Sequence, residues 1–321
     1  MQNKIAVEEH FAIADTTSRS LRYRTEYWTS LQPKLLDLHD RRLAEMDQTG
    51  IEIELISLNS NGVQSILDAK EAAELARRAN DALAATIARR PDRFAGLAAL
   101  PMQDPQAAAE EIERAVRDLG LKGALVNSFS QLAAPDTAIY YDLPQYRPFW
   151  AVVERLGVPF YLHPRDPLPS RRQAYEGHVW LVGSPWGFAE ETAIHALRLM
   201  GSGLFDVHPG LKIVIGHLGE RIPYDLWRLD HRLAKVPDRP AKRKMGEYFR
   251  QNFYVTTSGN FCTQSLIHAV LTLGADRVLF AVDYPFEDHA QAAAWFDGAE
   301  IAEADRRKIG RDNAVALFGL G

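Results

Sequence analysis

Eight short apolar runs recur along the whole chain, and each has the length of a β-strand and turn residues at its ends. They cover residues 4–7, 53–58, 94–100, 123–127, 159–163, 212–217, 253–257 and 277–282. Helix-period stretches separate most of these runs, as in residues 70–90, 105–120 and 190–200. This alternation predicts a parallel sheet, and runs that are apolar throughout predict that both of its faces are covered. Eight such units predict an α/β fold of the (β/α)8 TIM barrel type.

Turn residues mark the ends of several predicted helices. Asp104 followed by Pro105 is typical of a helix start, and Gly120 and Gly157 are typical of helix ends. A doubly wound sheet is the structural alternative, but the first strand lacks the G-x-G-x-x-G motif that such sheets use to bind nucleotides. The chain also has no fixed short repeat, low-complexity tract or Gly/Ser linker, so we predict a single domain over residues 1–321.

Two connections, residues 12–40 and 164–187, are much longer than the others. The first carries Tyr23 and Tyr27, and the second carries His178, Trp180 and Trp186. Active sites of such barrels lie at the C-terminal ends of the strands, so long loops after strands tend to roof them. We expect both connections to do so, with ordinary surface loops as the alternative.

The composition restricts the partners that this chain can have. Thirty-seven Lys and Arg against 42 Asp and Glu give a formal net charge of −5, which offers no basic field for nucleic acid or an anionic membrane. A small molecule is therefore the expected partner. Cys262 is the only cysteine, which excludes an internal disulfide and favours a reducing setting. With no apolar leader and no bilayer-length apolar run, the sequence predicts a cytoplasmic protein.

Side chains of the kinds that bind metals follow four of the predicted strands. They are Glu8 and His10 after the first strand, His163 after the fifth, His217 after the sixth and Asp283 after the eighth. Alternate side chains of a strand share a face, so Glu8 and His10 are expected to point into the barrel together while Glu9 points away. Carboxylate and imidazole groups gathered at one mouth suit a divalent transition metal. The remaining histidines lack this placement, and His178 stays ambiguous.

Motifs spread over nearly the whole chain resemble the amidohydrolase superfamily, and within it the branch of hydroxybenzoate decarboxylases. They are IAVEEHF, RRANDALA, ALVNSFSQ, YYDLPQYRPFW, VPFYLHPR, GHLGE, LWRLDHR, TTSGNF and DYPFE. The chain differs from the hydrolases of the superfamily at two points. Glu8 stands where they have a histidine, and Asn127 ends the fourth strand where they have a lysine. Without that lysine a carbamate-bridged pair of metals is not expected, so the resemblance implies one metal.

The resemblance implies roles for the residues at the strand ends. Glu8, His10, His163 and Asp283 would hold one zinc or manganese ion per subunit, with no organic cofactor. The family places the proton donor on the strand-eight aspartate, here Asp283. His217 and Glu220 are three residues apart, so Glu220 can orient or charge His217 for a proton relay or a substrate contact. The alternative for this pair is a hydrogen bond that only stabilises the loop.

Five residues are predicted to contact the substrate. Arg228 would follow the family pattern, Tyr23, Trp186 and Phe188 would offer flat walls to an aromatic ring, and Asn127 would be a polar contact. Exposed arginines and packed aromatic residues are also common without any ligand.

The resemblance implies reversible, non-oxidative decarboxylation of a small aromatic acid by a homotetramer, with 2,6-dihydroxybenzoate as the expected substrate. A different ortho-hydroxybenzoate, such as 2,3-dihydroxybenzoate or salicylate, is an alternative. A mononuclear metal-dependent hydrolase of the same superfamily is another, and a metal-binding barrel without catalysis is a third.

Overall fold

The strands alternate with helices along the chain, as the sequence predicts. The computed structural model describes residues 1–17, 26–236 and 238–320, and within these it has ten strands. They are β1 (Lys4–Phe11), β2 (Ile51–Leu58), β3 (Phe94–Gly96), β4 (Ala124–Asn127), β5 (Ser130–Leu132), β6 (Ala134–Ile139), β7 (Phe160–His163), β8 (Ile213–Ile215), β9 (Phe253–Thr256) and β10 (Val278–Leu279). All eight predicted strands are present. The pair β5 and β6, an antiparallel hairpin, was not predicted.

Fourteen α-helices lie in the described ranges. They are α1 (Ala14–Thr17), α2 (Glu26–Leu36), α3 (Arg41–Thr49), α4 (Ala69–Arg89), α5 (Pro105–Arg117), α6 (Arg147–Leu156), α7 (Gly187–Gly201), α8 (Leu204–Val207), α9 (Ile222–Leu233), α10 (Met245–Asn252), α11 (Thr263–Leu273), α12 (His289–Gly298), α13 (Glu303–Arg307) and α14 (Asn313–Phe318). None of the helices in this part of the chain is long and apolar enough to cross a membrane.

Two of the three predicted helix-boundary signals match the structure. The carboxylate of Asp104 caps α5 by accepting the backbone N–H groups of Gln106 and Ala107, and Pro105 occupies the first turn. Gly157 ends α6 in the left-handed conformation that glycine adopts without steric cost. Helix α5 already ends at Arg117, before the predicted stop.

The eight parallel strands form a (β/α)8 barrel. Strands β1, β2 and β3 form one sheet, and β4, β7, β8, β9 and β10 form the other. A parallel bridge between Ala98 and Ala124 joins the sheets on one side. On the other side, the N–H of Asp283 donates to the Glu8 carbonyl over 3.0 Å and the N–H of His10 donates to the Tyr284 carbonyl over 2.8 Å. Buried side chains such as Val7 fill the barrel interior, and a larger apolar layer lies between strands and helices.

Candidate metal centre and active site

Four of the side chains predicted to bind metal meet at the C-terminal mouth of the barrel. Glu8, His10, His163 and Asp283 each offer one atom, and these four atoms lie within 4.8 Å of one another. His10 Nε2 is 3.1 Å from Asp283 Oδ1, and His163 Nε2 is 3.3 Å from Glu8 Oε1. Glu8 and His10 are fully buried, and Glu9 lies on the opposite face of β1, close to Glu54 and His289. The register of β1 shifts between Ala6 and Glu9, and beyond this irregularity the alternation of side chains brings Glu8 and His10 together.

Three atoms of this cluster are buried without a hydrogen-bond partner among the described residues. They are Glu8 Oε1, His10 Nε2 and Asp283 Oδ1. Buried polar atoms are normally paired, so three unpaired atoms that face one another require an explanation. A cation among them would satisfy all three at once. Two carboxylates and two imidazoles form a donor set that divalent transition metals accept.

Three hydroxyl groups hold the other oxygen of Glu8. Its Oε2 accepts hydrogen bonds from Tyr161 Oη, from Thr256 Oγ1 over 2.9 Å, and from Ser258 Oγ. These donors occupy Oε2 and leave Oε1 free to face the cluster. Burial and the neighbouring Glu8 raise the pKa of Tyr161 well above its usual value, so its hydroxyl remains a neutral donor. Glu8 therefore presents one fixed oxygen to the cluster.

The histidines of the cluster are oriented through their second ring nitrogens. His163 Nδ1 lies 2.9 Å from both Asn127 Oδ1 and the Pro164 carbonyl. A carbonyl can only accept, so Nδ1 carries the hydrogen and the lone pair of Nε2 faces Glu8. His10 Nδ1 lies 3.3 Å from Ser57 Oγ. Burial lowers the pKa of His10, which favours the neutral imidazole that binds a metal.

His217 lies beside the cluster on a left-handed turn. Residues 217–221 all have positive φ, between 50° and 92°, and four of these five residues are not glycine. Such conformations are costly and concentrate at functional sites. The turn places His217 Nδ1 2.8 Å from Glu220 Oε1 and His217 Nε2 3.6 Å from Asp283 Oδ2. His217 thus links the buried carboxylate of Glu220 to Asp283.

Neighbouring groups change the pKa values of both His217 and Asp283. Burial would lower the pKa of His217, but the carboxylates of Glu220 and Asp283 raise it well above its usual value. Burial would raise the pKa of Asp283, but the neighbouring imidazoles of His10 and His217 lower it. At neutral pH the pair is therefore an imidazolium beside a carboxylate.

A cavity of about 170 Å³ opens directly above the cluster. Its lining residues are Thr16, Tyr27, Asn59, Ser60, Asn61, Gly62, Ser65, His163, Pro164, Ser184, Phe188, His217, Asp283, Phe286 and Glu287. Thr16 and Tyr27 belong to the first long connection, and Pro164 and Ser184 belong to the second. The prediction that both connections roof the mouth is confirmed.

The predicted substrate contacts differ in where the structure places them. Phe188 lines the cavity. Asn127 lies behind His163 and holds its ring, so it is not part of the cavity wall. Trp186 is 48% exposed and also lies outside the cavity lining. Its ring centroid is 3.7 Å from Arg221 Cζ.

Arg228 and Tyr23 are not brought to the cavity within the described residues. Arg228 is exposed on α9 and borders a separate groove, because that turn of the helix faces away from the barrel mouth. Tyr23 lies outside the described residues.

Sequence reasoning missed the cavity residues that follow β2. Asn59, Ser60, Asn61 and Ser65 carry no charge and no imidazole, so a search for metal-binding groups passes over them. Their position could have indicated them, because this polar stretch follows a strand at the same end of the barrel as Glu8. Phe286 and Glu287, just beyond Asp283, could have been found in the same way.

Comparison with known proteins places this chain in a family. The family model described as amidohydrolase matches residues 35–320, and the chain belongs to that family. The resemblance inferred from the motifs is confirmed.

Its relatives include decarboxylases of dihydroxybenzoates. The gamma-resorcylate decarboxylase of Rhizobium radiobacter is 59% identical over 324 residues, which cover 100% of this chain and 99% of the relative. A crystal structure of 2,6-dihydroxybenzoate decarboxylase complexed with 2,6-dihydroxybenzoate matches with a TM-score of 0.97 and 58% identity, covering 100% of both chains. The dihydroxybenzoic acid decarboxylase of Polaromonas sp. JS666, solved with bound manganese and the inhibitor 2-nitroresorcinol, matches with a TM-score of 0.97 and 56% identity, covering 100% of this chain and 98% of the other.

Proposed function

We propose that this protein is a metal-dependent carboxy-lyase that converts 2,6-dihydroxybenzoate reversibly to resorcinol and carbon dioxide. The observation that carries the proposal is the cluster of Glu8, His10, His163 and Asp283, whose unpaired atoms lie beneath a cavity with aromatic walls. Full-length similarity to gamma-resorcylate decarboxylases supports the substrate. No organic cofactor is needed for this reaction.

Glu8, His10 and His163 would hold one divalent ion, with Asp283 as the fourth ligand. Manganese is favoured because a similar structure carries it, and zinc suits the same donor set. The bound ion would supply a Lewis acid and a template for the carboxylate and the adjacent phenolic oxygen of the substrate. This role needs no activated water.

The protein groups would supply a proton to the ring. Direct loss of carbon dioxide would leave an aryl carbanion, so protonation of the carbon that bears the carboxylate must come first. Asp283 would deliver this proton and form the new C–H bond. The C–C bond to the carboxylate then breaks, and its electron pair restores the aromatic ring as carbon dioxide leaves. Asp283 would act here as a general acid.

His217 would reload Asp283 with a proton. Its Nε2 lies 3.6 Å from Asp283 Oδ2, and Glu220 holds its other nitrogen. Because His217 is the cationic partner of an ionised Asp283, transfer of its proton prepares the acid that the reaction needs. Glu220 then stabilises the orientation of the ring during the transfer.

The aromatic ring of the substrate would lie against Phe188 and Phe286. Both line the cavity, and Phe286 also packs edge-on against His10 with ring centroids 5.6 Å apart. Substrate contacts by Tyr23, Asn127, Trp186 and Arg228 remain predictions. A homotetramer and a cytoplasmic location also remain predictions from the family resemblance and the single cysteine.

A substrate panel tests the proposal. The manganese-loaded protein is incubated separately with 2,6-dihydroxybenzoate, 2,3-dihydroxybenzoate, salicylate, 4-hydroxybenzoate and an aromatic lactone, and carbon dioxide and ring products are quantified. We expect 2,6-dihydroxybenzoate to have the highest kcat/KM and 4-hydroxybenzoate, which lacks an ortho hydroxyl, to be inert. Ring opening of the lactone without release of carbon dioxide from any benzoate would support a hydrolase instead.

A further inference from the structure

A second group of ionisable side chains lies behind the candidate metal centre and is not part of it. Glu9, Arg42, Glu54 and His289 form this group, which we call the buttress, and all four are at least 98% buried. The buttress lies on the face of β1 opposite to Glu8 and His10. Ionisable side chains are rarely fully buried unless they are paired with other groups.

Glu9 accepts hydrogen bonds from the backbone on both sides of Asp283. Its Oε1 accepts the N–H of Val282 over 2.8 Å, and its Oε2 accepts the N–H of Tyr284 over 2.9 Å. Between them, Asp283 has a φ of +80°, a region that residues with side chains seldom occupy. Such a conformation persists only where the surroundings fix it. Two backbone hydrogen bonds donated to a single side chain supply that restraint.

Arg42 holds the backbone of His10, another of the proposed metal ligands. Its Nη2 donates to the carbonyl of His10, and its Nη1 lies 3.1 Å from Glu54 Oε2. His289 completes the group, with Nε2 2.7 Å from Glu54 Oε1. Arg42 therefore holds the end of β1 at His10. Glu9 holds the segment after β10 on both sides of Asp283.

The geometry does not suit a second metal. Glu9, Glu54 and His289 have atoms close enough to share an ion, but both oxygens of Glu9 already accept backbone hydrogens. The guanidinium of Arg42 adds a positive charge beside Glu54. The contacts are those of a structural support.

We propose that Glu9 and Arg42 are positioning residues that set the geometry of the metal centre. They fix the backbone of His10 and Asp283, two ligands that come from opposite ends of the chain and meet where the barrel closes. This inference rests on the metal centre of the proposed function. Outer groups that orient metal ligands commonly change metal affinity by 10- to 100-fold when they are lost.

The test is manganese binding by the metal-free protein, followed through the electron paramagnetic resonance signal of free Mn²⁺. In Glu9→Gln, the amide NH₂ cannot accept a backbone hydrogen, so one of the two contacts is lost. The control is Glu111→Gln, a buried glutamate on α5 that pairs with Asn80 and Arg114 and has no contact with the centre. We expect the Kd for Mn²⁺ to rise at least about tenfold in Glu9→Gln and to stay unchanged in the control.

The possible results separate this inference from the proposed function. Wild-type affinity in Glu9→Gln, or an equal loss in Glu111→Gln, would overturn the positioning role while leaving the metal centre intact. Failure of the wild-type protein to bind Mn²⁺ would overturn both. If Glu9→Gln does not fold, Arg42→Lys replaces it, because lysine keeps the charge beside Glu54 but lacks the second arm that reaches the His10 carbonyl. Unchanged affinity in that variant would also refute the inference.

Discussion

Asp283 has two proposed tasks, as a metal ligand and as the acid that protonates the ring. Asp283→Asn keeps nearly the same shape and leaves three other ligands, so the barrel should fold and bind substrate. Turnover should fall by about 10²–10⁴-fold, the usual contribution of a general acid. In D₂O, the variant should also fail to exchange the C2 hydrogen of resorcinol, since that exchange is the protonation step in reverse.

The measurement for Asp283→Asn is made on protein whose manganese content has been verified, so that loss of metal cannot explain the result. Decarboxylation within tenfold of wild type, or continued exchange at C2, would assign the proton transfer to another group. His217 would be the next candidate, because its Nε2 lies 3.6 Å from Asp283.

Deletion of the His163 imidazole should remove both metal and activity. His163→Ala deletes a nitrogen from the cluster, whereas His208→Ala changes a histidine that follows α8, pairs with Glu154 and lies outside the cluster. Elemental analysis should find no bound metal in His163→Ala and wild-type content in His208→Ala. Equal metal content in the two variants would contradict the assignment of His163.

The cluster residues could be predicted because each directly follows an apolar strand, and parallel strands bring their ends to one mouth. The function of Glu9 could not be predicted in this way. Alternation along β1 directs it away from the mouth, but its partners are the amides of Val282 and Tyr284, which only the closed barrel brings close.

At the level of elements, the eight barrel strands and most helices follow from periodicity and from capping residues such as Asp104. The hairpin of β5 and β6 was missed because its second strand, APDTAI, begins with exposed residues, includes a proline and has little apolar alternation. It forms through tertiary contacts, as when Arg165 donates to the Phe129 carbonyl and to Gln131. Such contacts leave no local pattern in a sequence.

The pair formed by His289 on α12 and Glu54 on β2 should make stability depend on pH. Burial opposes a charge on His289, but Glu54 and Glu45 outweigh it and raise the pKa of His289 to about 9. A pKa raised above its unfolded value of about 6.5 gives stability that is fully present below pH 6.5 and is lost as the pH rises through about 9. The contribution of His289 protonation to the free energy of unfolding is of the order of 3 kcal/mol.

Urea unfolding near pH 6 and near pH 10 measures this dependence. His289→Gln does not titrate, so its free energy of unfolding should fall by about 3 kcal/mol less than that of wild type over this range. Parallel pH dependence in the two proteins would show that His289 is not protonated in the folded state.

For the molecule as a whole, metal binding should add to folding stability. The proposed ligands come from β1, β7 and the segment after β10, so an ion held by them binds the folded chain and not the unfolded one. At a free Mn²⁺ concentration of about 100 times its Kd, the free energy of unfolding should increase by about 2.7 kcal/mol. Denaturant unfolding with and without Mn²⁺ measures the increase, and His163→Ala should show none. An equal increase in His163→Ala would place the bound metal elsewhere.

The most direct test of metal-dependent decarboxylation is metal removal and restoration with 2,6-dihydroxybenzoate as substrate. The protein is stripped with a chelator, dialysed, and divided into a metal-free portion and a portion reloaded with Mn²⁺. We predict that the reloaded enzyme releases one carbon dioxide for each resorcinol formed, while the metal-free enzyme releases neither above the uncatalysed rate. Equal rates in the two portions, or consumption of substrate without carbon dioxide, would contradict metal-dependent decarboxylation at this site.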